Sequence, residues 1–168
     1  KLMGIYERPL IGTIIKPSVG LSAKETGMLV SQLCAGGIDF IKDDELQANG
    51  PFCPFEDRVI EVMLAVNKAA DKMGHKVMVA FNLTGEIDEM RRRHDFVHEQ
   101  GGTCVMVNLM AAGMAGMDVS VVMSTNVAGL GSKAVQGITN MAKDGNVSAG
   151  VMGDMMEIGL VNQGTMAA

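Results

Sequence analysis

Residues 36–45 read Gly-Gly-Ile-Asp-Phe-Ile-Lys-Asp-Asp-Glu, in which an apolar run leads from two glycines to one lysine and three acids. The glycines are typical of a helix end, and the β-branched and aromatic run predicts a strand. Side chains alternate along a strand, so we expect Lys42 and Asp44 on one side and Asp43 on the other. Glu45 follows where the strand gives way to a loop and can turn back toward Asp44. Two carboxylates beside a lysine suit Mg²⁺, and the alternative is a solvated acidic turn.

The same succession of strand, loop and helix repeats along residues 10–109. Strands are predicted at 10–16, 38–42, 76–82 and 103–109, and helices at 23–35, 54–73 and 86–100. Ser22 and Glu25 form the pattern of a capping box at the first of these helices. Near-continuous apolar strands that alternate with helices predict an α/β fold with a parallel sheet buried on both faces. Four such units in roughly 100 residues suit an open doubly wound sheet or part of a (β/α)₈ barrel of TIM type.

Residues 117–168 are predicted to be a weakly specified continuation of this barrel or an unassigned tail, beyond a first unit at 1–116. From residue 110 onward the chain has no aromatic residue, no Arg and no His, and it carries nine of the 16 methionines and ten of the 21 glycines. A strand–helix–strand pattern is still legible, but a core of Met, Ala and Gly specifies its shape weakly. The chain is also shorter than the roughly 250 residues of a complete barrel, so we expect an incomplete one.

A glycine motif in this tail leaves another function open. Gly129, Gly131 and Ala134 have the G-x-G-x-x-A spacing of a dinucleotide-binding turn, and Asp154 follows 20 residues after Ala134. Chance matches are common in a segment so rich in glycine. The alternative function is therefore a nucleotide-binding strand–helix–strand unit.

Composition and charge narrow the range of partners. The net charge of −5 and the pI near 5.1 argue against nucleic-acid binding, and the arginines at 91–93 are expected on an exposed helix face. No apolar run approaches the roughly 20 residues of a membrane span and no signal-peptide core is recognisable, so we expect a cytoplasmic protein without membrane contact. Three widely spaced cysteines suit buried, reduced thiols rather than a zinc site: Cys34, Cys53 and Cys104.

Polar residues follow all four predicted strands. Lys16 ends the first strand, residues 42–45 end the second, Asn82 ends the third and Asn108 ends the fourth. The carboxyl ends of barrel strands face one mouth, where catalytic groups gather, so we expect these side chains to share one rim. For Lys16 taken alone, the alternative is a solvated lysine at a strand end.

Residues 12–17, Gly-Thr-Ile-Ile-Lys-Pro, and residues 36–45 closely resemble the first two barrel strands of the ribulose-bisphosphate carboxylase (RuBisCO) large-subunit superfamily. Further similar stretches are found at 55–62, 81–85 and 101–109. The resemblance covers about residues 7–116 and implies barrel strands one to four. Ser18 stands where carboxylases have a second lysine, and Asp-Glu-Leu-Gln-Ala-Asn occupies 44–49, which is more similar to the RuBisCO-like (form IV-like) proteins than to carbon-fixing enzymes.

The resemblance implies a Mg²⁺-dependent enzyme that enolises, isomerises, carboxylates or decarboxylates a phosphorylated keto-sugar or keto-acid. It implies that CO₂ converts Lys42 to a carbamate, which replaces a cation by an anionic oxygen ligand. Asp44 and Glu45 are implied to be the carboxylate ligands of Mg²⁺, and Asp43 is expected to make supporting contacts. Lys16 is implied to assist proton transfer during enolisation, as a desolvated base with a lowered pKa. A partial barrel leaves open strand edges that need pairing or covering, so we expect a homo-oligomer, and the resemblance implies a dimer.

The chain also departs from the family pattern. The fifth and sixth strands of family members present histidines and an arginine to substrate phosphate, whereas residues 124–126 read Ser-Thr-Asn here. About nine residues precede the first predicted strand, where family members carry an N-terminal domain. The alternative to an active enzyme is therefore a truncated or chimeric barrel fragment without turnover.

Overall fold

The computed structural model of the chain describes residues 5–108 and 110–113. Its strands are β1 (Gly12–Ile14), β2 (Phe40–Lys42), β3 (Met78–Asn82) and β4 (Cys104–Met106). Its helices are α1 (Ala23–Ala35), α2 (Phe55–Met73) and α3 (Ile87–Glu99). The strands form one sheet in the order β1-β2-β3-β4, and each neighbouring pair is parallel. The prediction of an α/β fold with a parallel sheet is confirmed.

The strand order bears on the two architectures that the sequence left open. A doubly wound sheet reverses its strand order at a switch point, whereas each strand of a (β/α)₈ barrel pairs with the next strand along the chain. Among the four described strands, each pairs with its successor and the order does not reverse. The described residues thus have the arrangement of successive barrel strands, and they do not by themselves close a barrel.

Local signals set the helix boundaries. The Ser22 hydroxyl accepts a hydrogen bond from the Glu25 N–H at 3.3 Å, and the Glu25 carboxylate accepts one from the Ser22 N–H at 2.8 Å, which confirms the capping box. Helix α2 ends at Gly74, whose φ of 75° favours a residue without a Cβ. The helices agree with the predicted ranges to within one residue. The strands are shorter than predicted, because only three to five residues of each belong to the sheet.

Strand residues alternate between two apolar layers. Val79 and Phe81 belong to the large cluster that the sheet forms with the three helices, and we call this side of the sheet the helix face. Met78 and Ala80 belong to a smaller cluster on the opposite side, which we call the inner face. Lys42 pairs in register with Ala80, so its side chain leaves β2 on the inner face.

Burial of the polar residues corrects one prediction. The three arginines at 91–93 were expected on an exposed face, and the side chains of Arg91 and Arg92 are indeed about half exposed. The Arg93 side chain is only 7% exposed, so the prediction is wrong for this residue. Its guanidinium turns inward because it donates to the carbonyl oxygens of Leu83 at 3.0 Å and Thr84 at 2.7 Å.

The predictions for the cysteines and for membrane contact concern described residues, whereas those for residues 117–168 do not. The three cysteines are buried and free, as expected. Within the described ranges, none of the helices has the length and apolarity needed to cross a membrane. The predictions for 117–168, including Ser-Thr-Asn at 124–126 and the glycine motif with Asp154, lie outside the described residues.

Asp39 anchors the segment that enters β1. Its buried carboxylate accepts hydrogen bonds from Arg8 Nη2 at 2.7 Å and from the Ile11 N–H at 2.8 Å. The hydrogen bond from Arg8 holds the pKa of Asp39 below its ordinary value, against the opposing effect of burial. The contact therefore ties the chain before β1 to the residue that precedes β2.

We expect Asp39→Asn to lower the free energy of unfolding at neutral pH and to flatten its dependence on pH in acid. A carboxyl group whose pKa is depressed by folding contributes stability above its ordinary value of 3.8, and this stability is lost as the pH falls through the lower folded value. Urea unfolding at a series of pH values measures the slope. Asp88→Asn is the control, because the Asp88 side chain is almost fully exposed. An unchanged acid slope in Asp39→Asn would contradict the assigned ion pair.

Candidate functional site

The predicted site residues meet at the carboxyl ends of β1 and β2. Lys16 follows β1 by two residues, Lys42 is the last residue of β2, and Asp44 and Glu45 lie in the loop after it. Lys42 and Asp44 are buried, with 4% and 1% of their surface exposed, whereas the Lys16 side chain is 59% exposed. The fold therefore brings together two lysines and two carboxylates that lie up to 29 positions apart in the sequence.

Asp44 lies at the centre of this cluster. Its Oδ2 forms an ion pair with Lys16 Nζ and accepts a hydrogen bond from Ser18 Oγ at 3.0 Å. Its Oδ1 accepts a hydrogen bond from the Leu46 N–H at 2.9 Å. Burial alone would raise the pKa of Asp44, but the hydrogen bonds from Lys16, Leu46 and Ser18 outweigh it and lower the pKa. Asp44 is therefore an ionised oxygen donor held in one orientation, with Lys16 as its counterion.

Lys16 differs from the desolvated base that the resemblance implied. The hydrogen bond to Asp44 raises the pKa of Lys16, and more than half of the side chain is exposed to solvent. The expectation of a lowered pKa is wrong for this arrangement, because the neighbouring carboxylate stabilises the ammonium form. Lys16 Nζ also lies 3.1 Å from Ser18 Oγ, so the end of this lysine is held from two sides.

Lys42 and Glu45 form the second pair of the cluster. Lys42 Nζ lies 3.4 Å from Glu45 Oε2, at the long end of the range for an ion pair. The amine leaves β2 on the inner face, and Glu45 remains partly exposed. A buried amine thus lies beside a carboxylate that reaches solvent.

Asp43 points to the helix face, as the alternation along β2 predicts. Its Oδ2 accepts a hydrogen bond from Arg58 Nε at 3.2 Å and another from the Asn82 N–H at 3.0 Å. Both Asp43 and Arg58 are buried. These contacts agree with the supporting role expected of Asp43, and they keep its carboxylate away from the inner face.

Asn82 connects the ends of three strands. Its Nδ2 donates to the carbonyl oxygens of Asp44 at 3.2 Å and Glu45 at 2.9 Å. Its Oδ1 accepts from Thr84 Oγ1 at 2.6 Å, and that hydroxyl in turn accepts from the Asn108 N–H at 2.8 Å. The prediction placed both asparagines on the rim. The Asn82 amide holds the backbone of the two carboxylate residues, and Asn108 Oδ1 accepts from the N–H groups of Met110 and Ala111, at the start of the helical residues 110–113.

Arg58 was not among the predicted site residues, although the sequence contains a signal for it. The buried stripe of α2 runs through Phe55, Val59, Val62 and Val66, and position 58 lies on the same side at helical spacing. Charged residues are almost never fully buried without a partner, so an arginine in this stripe indicates an acid beneath it. That acid is Asp43.

The donor set fits a hard divalent cation. Among residues 5–108 and 110–113, no three His, Cys, Asp or Glu side chains form a group that could hold a metal ion, and Asp43 is turned toward Arg58. Asp44 and Glu45 supply two carboxylates, and the adjacent Lys42 amine becomes an oxygen ligand only as a carbamate. Mg²⁺ usually takes one or two protein carboxylates and keeps several waters, so this set suffices.

Comparison with known proteins identifies the family. Residues 1–162 match the family model for the ribulose bisphosphate carboxylase large chain, catalytic domain. The 3-oxo-isoapionate-4-phosphate transcarboxylase/hydrolase of Xanthobacter autotrophicus is 63% identical over 117 residues, which are 70% of this chain and 28% of that protein. The 3-oxo-isoapionate-4-phosphate decarboxylase of Rhizobium rhizogenes is 44% identical over 118 residues, again 70% of this chain and 28% of that protein. The chain thus spans little more than a quarter of the length of these curated relatives, both of which are named as enzymes.

Solved structures agree with this comparison. A rubisco-like protein from Burkholderia fungorum has a TM-score of 0.71 and 46% identity, covering 73% of this chain and 30% of that chain. A dimeric archaeal Rubisco from Hyperthermus butylicus has a TM-score of 0.73 and 34% identity, covering 76% of this chain and 30% of that chain. The resemblance found in the sequence is therefore confirmed, and the chain belongs to the ribulose bisphosphate carboxylase large-chain family as a RuBisCO-like protein.

Proposed function

We propose that the chain carries the enolate-forming half of the active site of a RuBisCO-like enzyme that acts on a phosphorylated keto-sugar or keto-acid. One observation carries the proposal: Lys16, Lys42, Asp44 and Glu45 meet at the carboxyl edge of a parallel sheet in a chain of this family. The substrate class is narrowed by two relatives named for 3-oxo-isoapionate-4-phosphate, so we propose a phosphorylated 3-oxo acid.

In this proposal Asp44, Glu45 and the carbamate of Lys42 hold Mg²⁺. When bound, the ion polarises a substrate ketone and stabilises the negative charge that develops on its oxygen. Asp44 is ionised and oriented by Ser18 and the Leu46 N–H, so little reorganisation of its side chain is needed. Glu45 remains partly exposed at the edge of the sheet, so a substrate can approach the proposed metal site from the Glu45 side.

Lys16 is the proposed proton donor. A 3-oxo acid loses CO₂ by cleavage of the bond between the carboxyl carbon and the carbon next to the ketone. The bonding electrons move toward the ketone oxygen, and the resulting enolate takes up a proton at that carbon. More than half of the Lys16 side chain is exposed, so Lys16 is an ammonium ion at neutral pH, which is the form that donates a proton, and this exposure allows a proton to return from solvent.

Assembly and location belong to the same proposal. We propose a homo-oligomer, at least a dimer, supported by a solved relative that is itself described as dimeric. We keep the cytoplasm as the proposed location, on the grounds of composition alone. None of the described residues is assigned to the phosphate of the substrate.

Lys42→Ala should abolish carbamate formation and lower the rate of CO₂ release from 3-oxo-isoapionate-4-phosphate by roughly 100-fold or more, because the substrate loses electrostatic stabilisation of its developing charge. Carbon NMR with ¹³C-labelled bicarbonate detects the carbamate, and titration calorimetry measures Mg²⁺ affinity with and without bicarbonate. Lys68→Ala, on the exposed side of α2, is the control. Mg²⁺ affinity that depends neither on bicarbonate nor on Lys42 would refute the metal assignment.

Lys16→Met should separate metal binding from turnover. Removal of the ammonium frees Asp44 Oδ2 from its counterion, so we expect Mg²⁺ affinity without substrate to rise, by about fivefold at most for an ion pair with an exposed partner. Turnover should fall, because the proposed proton donor is lost. The same titration on Lys24→Met, an exposed lysine of α1, should show no change. Weaker Mg²⁺ binding in Lys16→Met would show that the two cations do not compete for Asp44.

A further inference from the structure

We propose that Arg58 is a positioning residue for the metal ligands Asp44 and Glu45, because its guanidinium fixes the loop at 43–53 that carries both carboxylates. The inference rests on the proposed function, since it concerns the same two ligands. Arg58 acts through the backbone of this loop and through Asp43, from the helix face of the sheet.

One side chain holds the loop at its start, middle and end. Arg58 Nε donates to Asp43 Oδ2 at 3.2 Å, and Asp43 immediately precedes the proposed ligand Asp44. Nη2 donates to the carbonyl oxygens of Gln47 at 2.9 Å and Ala48 at 3.0 Å. Nη1 donates to the carbonyl oxygen of Cys53 at 3.1 Å, where the loop meets α2. All three nitrogens of the guanidinium are therefore engaged.

Burial leaves the Arg58 guanidinium little freedom to exchange these hydrogen-bond partners. Arg58 is fully buried, and its guanidinium carbon lies 5.4 Å from the centre of the Phe55 ring. A buried cation that loses its acceptors pays a large desolvation cost, so a loop conformation that releases any of these carbonyl groups is strongly disfavoured. The position of the guanidinium and the conformation of the loop are thus coupled.

Asn82 holds the same residues from β3. Its Nδ2 donates to the backbone carbonyl oxygens of Asp44 and Glu45, and its N–H donates to Asp43 Oδ2, the atom that Arg58 also contacts. Asp44 and Glu45 are therefore held by an amide on β3 and a guanidinium on α2. Groups that orient metal ligands without touching the metal typically change its affinity 10–100-fold when they are removed, and this is the effect expected of Arg58.

Arg58→Lys is the test variant, and Arg93→Lys is its matched control. A lysine keeps the positive charge beside Asp43 but lacks the planar fork that reaches three carbonyl groups. Arg93 is likewise buried, lies 5.5 Å from the centre of the same Phe55 ring and donates to two carbonyl oxygens, but these belong to Leu83 and Thr84, after β3. The control therefore removes the same kind of contact, from a buried guanidinium to backbone carbonyl oxygens, from a different loop.

Two readouts are needed. Hydrogen exchange of the Leu46 and Gln47 amides reports the loop directly, since these groups donate to Asp44 Oδ1 at 2.9 Å and to the Asp44 carbonyl at 3.0 Å. Titration calorimetry with Mg²⁺ in bicarbonate reports ligand positioning. In Arg58→Lys we expect exchange about tenfold faster or more and Mg²⁺ affinity about 10–100-fold weaker. In Arg93→Lys both should change less than about threefold.

The outcomes separate this inference from the proposed function. If the unsubstituted protein binds Mg²⁺ and Arg58→Lys binds it equally well, or if Arg93→Lys loses as much affinity, the positioning role is wrong while the metal site stands. If the unsubstituted protein binds no Mg²⁺ in bicarbonate, the metal assignment fails and the inference fails with it. Should Arg58→Lys not fold, Asp43→Asn combined with Arg58→Gln removes both buried charges, and an unchanged Mg²⁺ affinity there would also overturn the role of Arg58.

Discussion

The alternation of side chains at the end of β2 is the constraint on which the candidate site depends. Lys42 and Asp44 leave the chain on the inner face, and Asp43 between them leaves on the helix face, where Arg58 and the Asn82 N–H are buried around it. A shift of one residue in one direction would place Lys42 opposite Arg58, and in the other it would place Asp44 there and take Asp44 away from Lys16. Only the observed register pairs Asp43 with Arg58 and at the same time places Asp44 beside Lys16.

The charges at this edge are balanced in pairs. Asp43 is opposite Arg58, Asp44 is opposite Lys16, and Glu45 is near Lys42. The Lys16–Asp44 and Lys42–Glu45 pairs together have a formal charge of zero, since they combine two lysines with two carboxylates. Conversion of the Lys42 amine to a carbamate would replace one positive charge by a negative one and bring that formal charge to minus two. A divalent cation would then restore neutrality, which gives a physical reason for a lysine in the proposed Mg²⁺ site.

Several features that the sequence predicted correctly have local causes. The cap of α1 needs only Ser22 and Glu25, which lie within one helical turn, and the alternation at β2 follows from backbone geometry. Arg93 could not be separated from its two exposed neighbours, because its burial depends on carbonyl groups about ten positions earlier in the chain. The raised pKa of Lys16 was equally inaccessible, since it depends on a carboxylate 28 positions away that only the folded sheet brings into contact.

Under the proposed function, the described segment contributes the part of the site that different reactions of the family can share. Relatives are named for transferring a carboxyl group, for removing one and, in Rubisco, for carboxylating ribulose bisphosphate. A decarboxylase that releases CO₂ leaves an enolate behind, and a carboxylase adds CO₂ to one, so the same developing charge has to be stabilised in both directions. The two reactions differ in whether the enolate carbon then reacts with a proton or with CO₂. The Lys16 side chain is more than half exposed at this edge, whereas Lys42, Asp43 and Asp44 are buried. The residues around Lys16 can therefore differ between family members while the three buried residues stay the same.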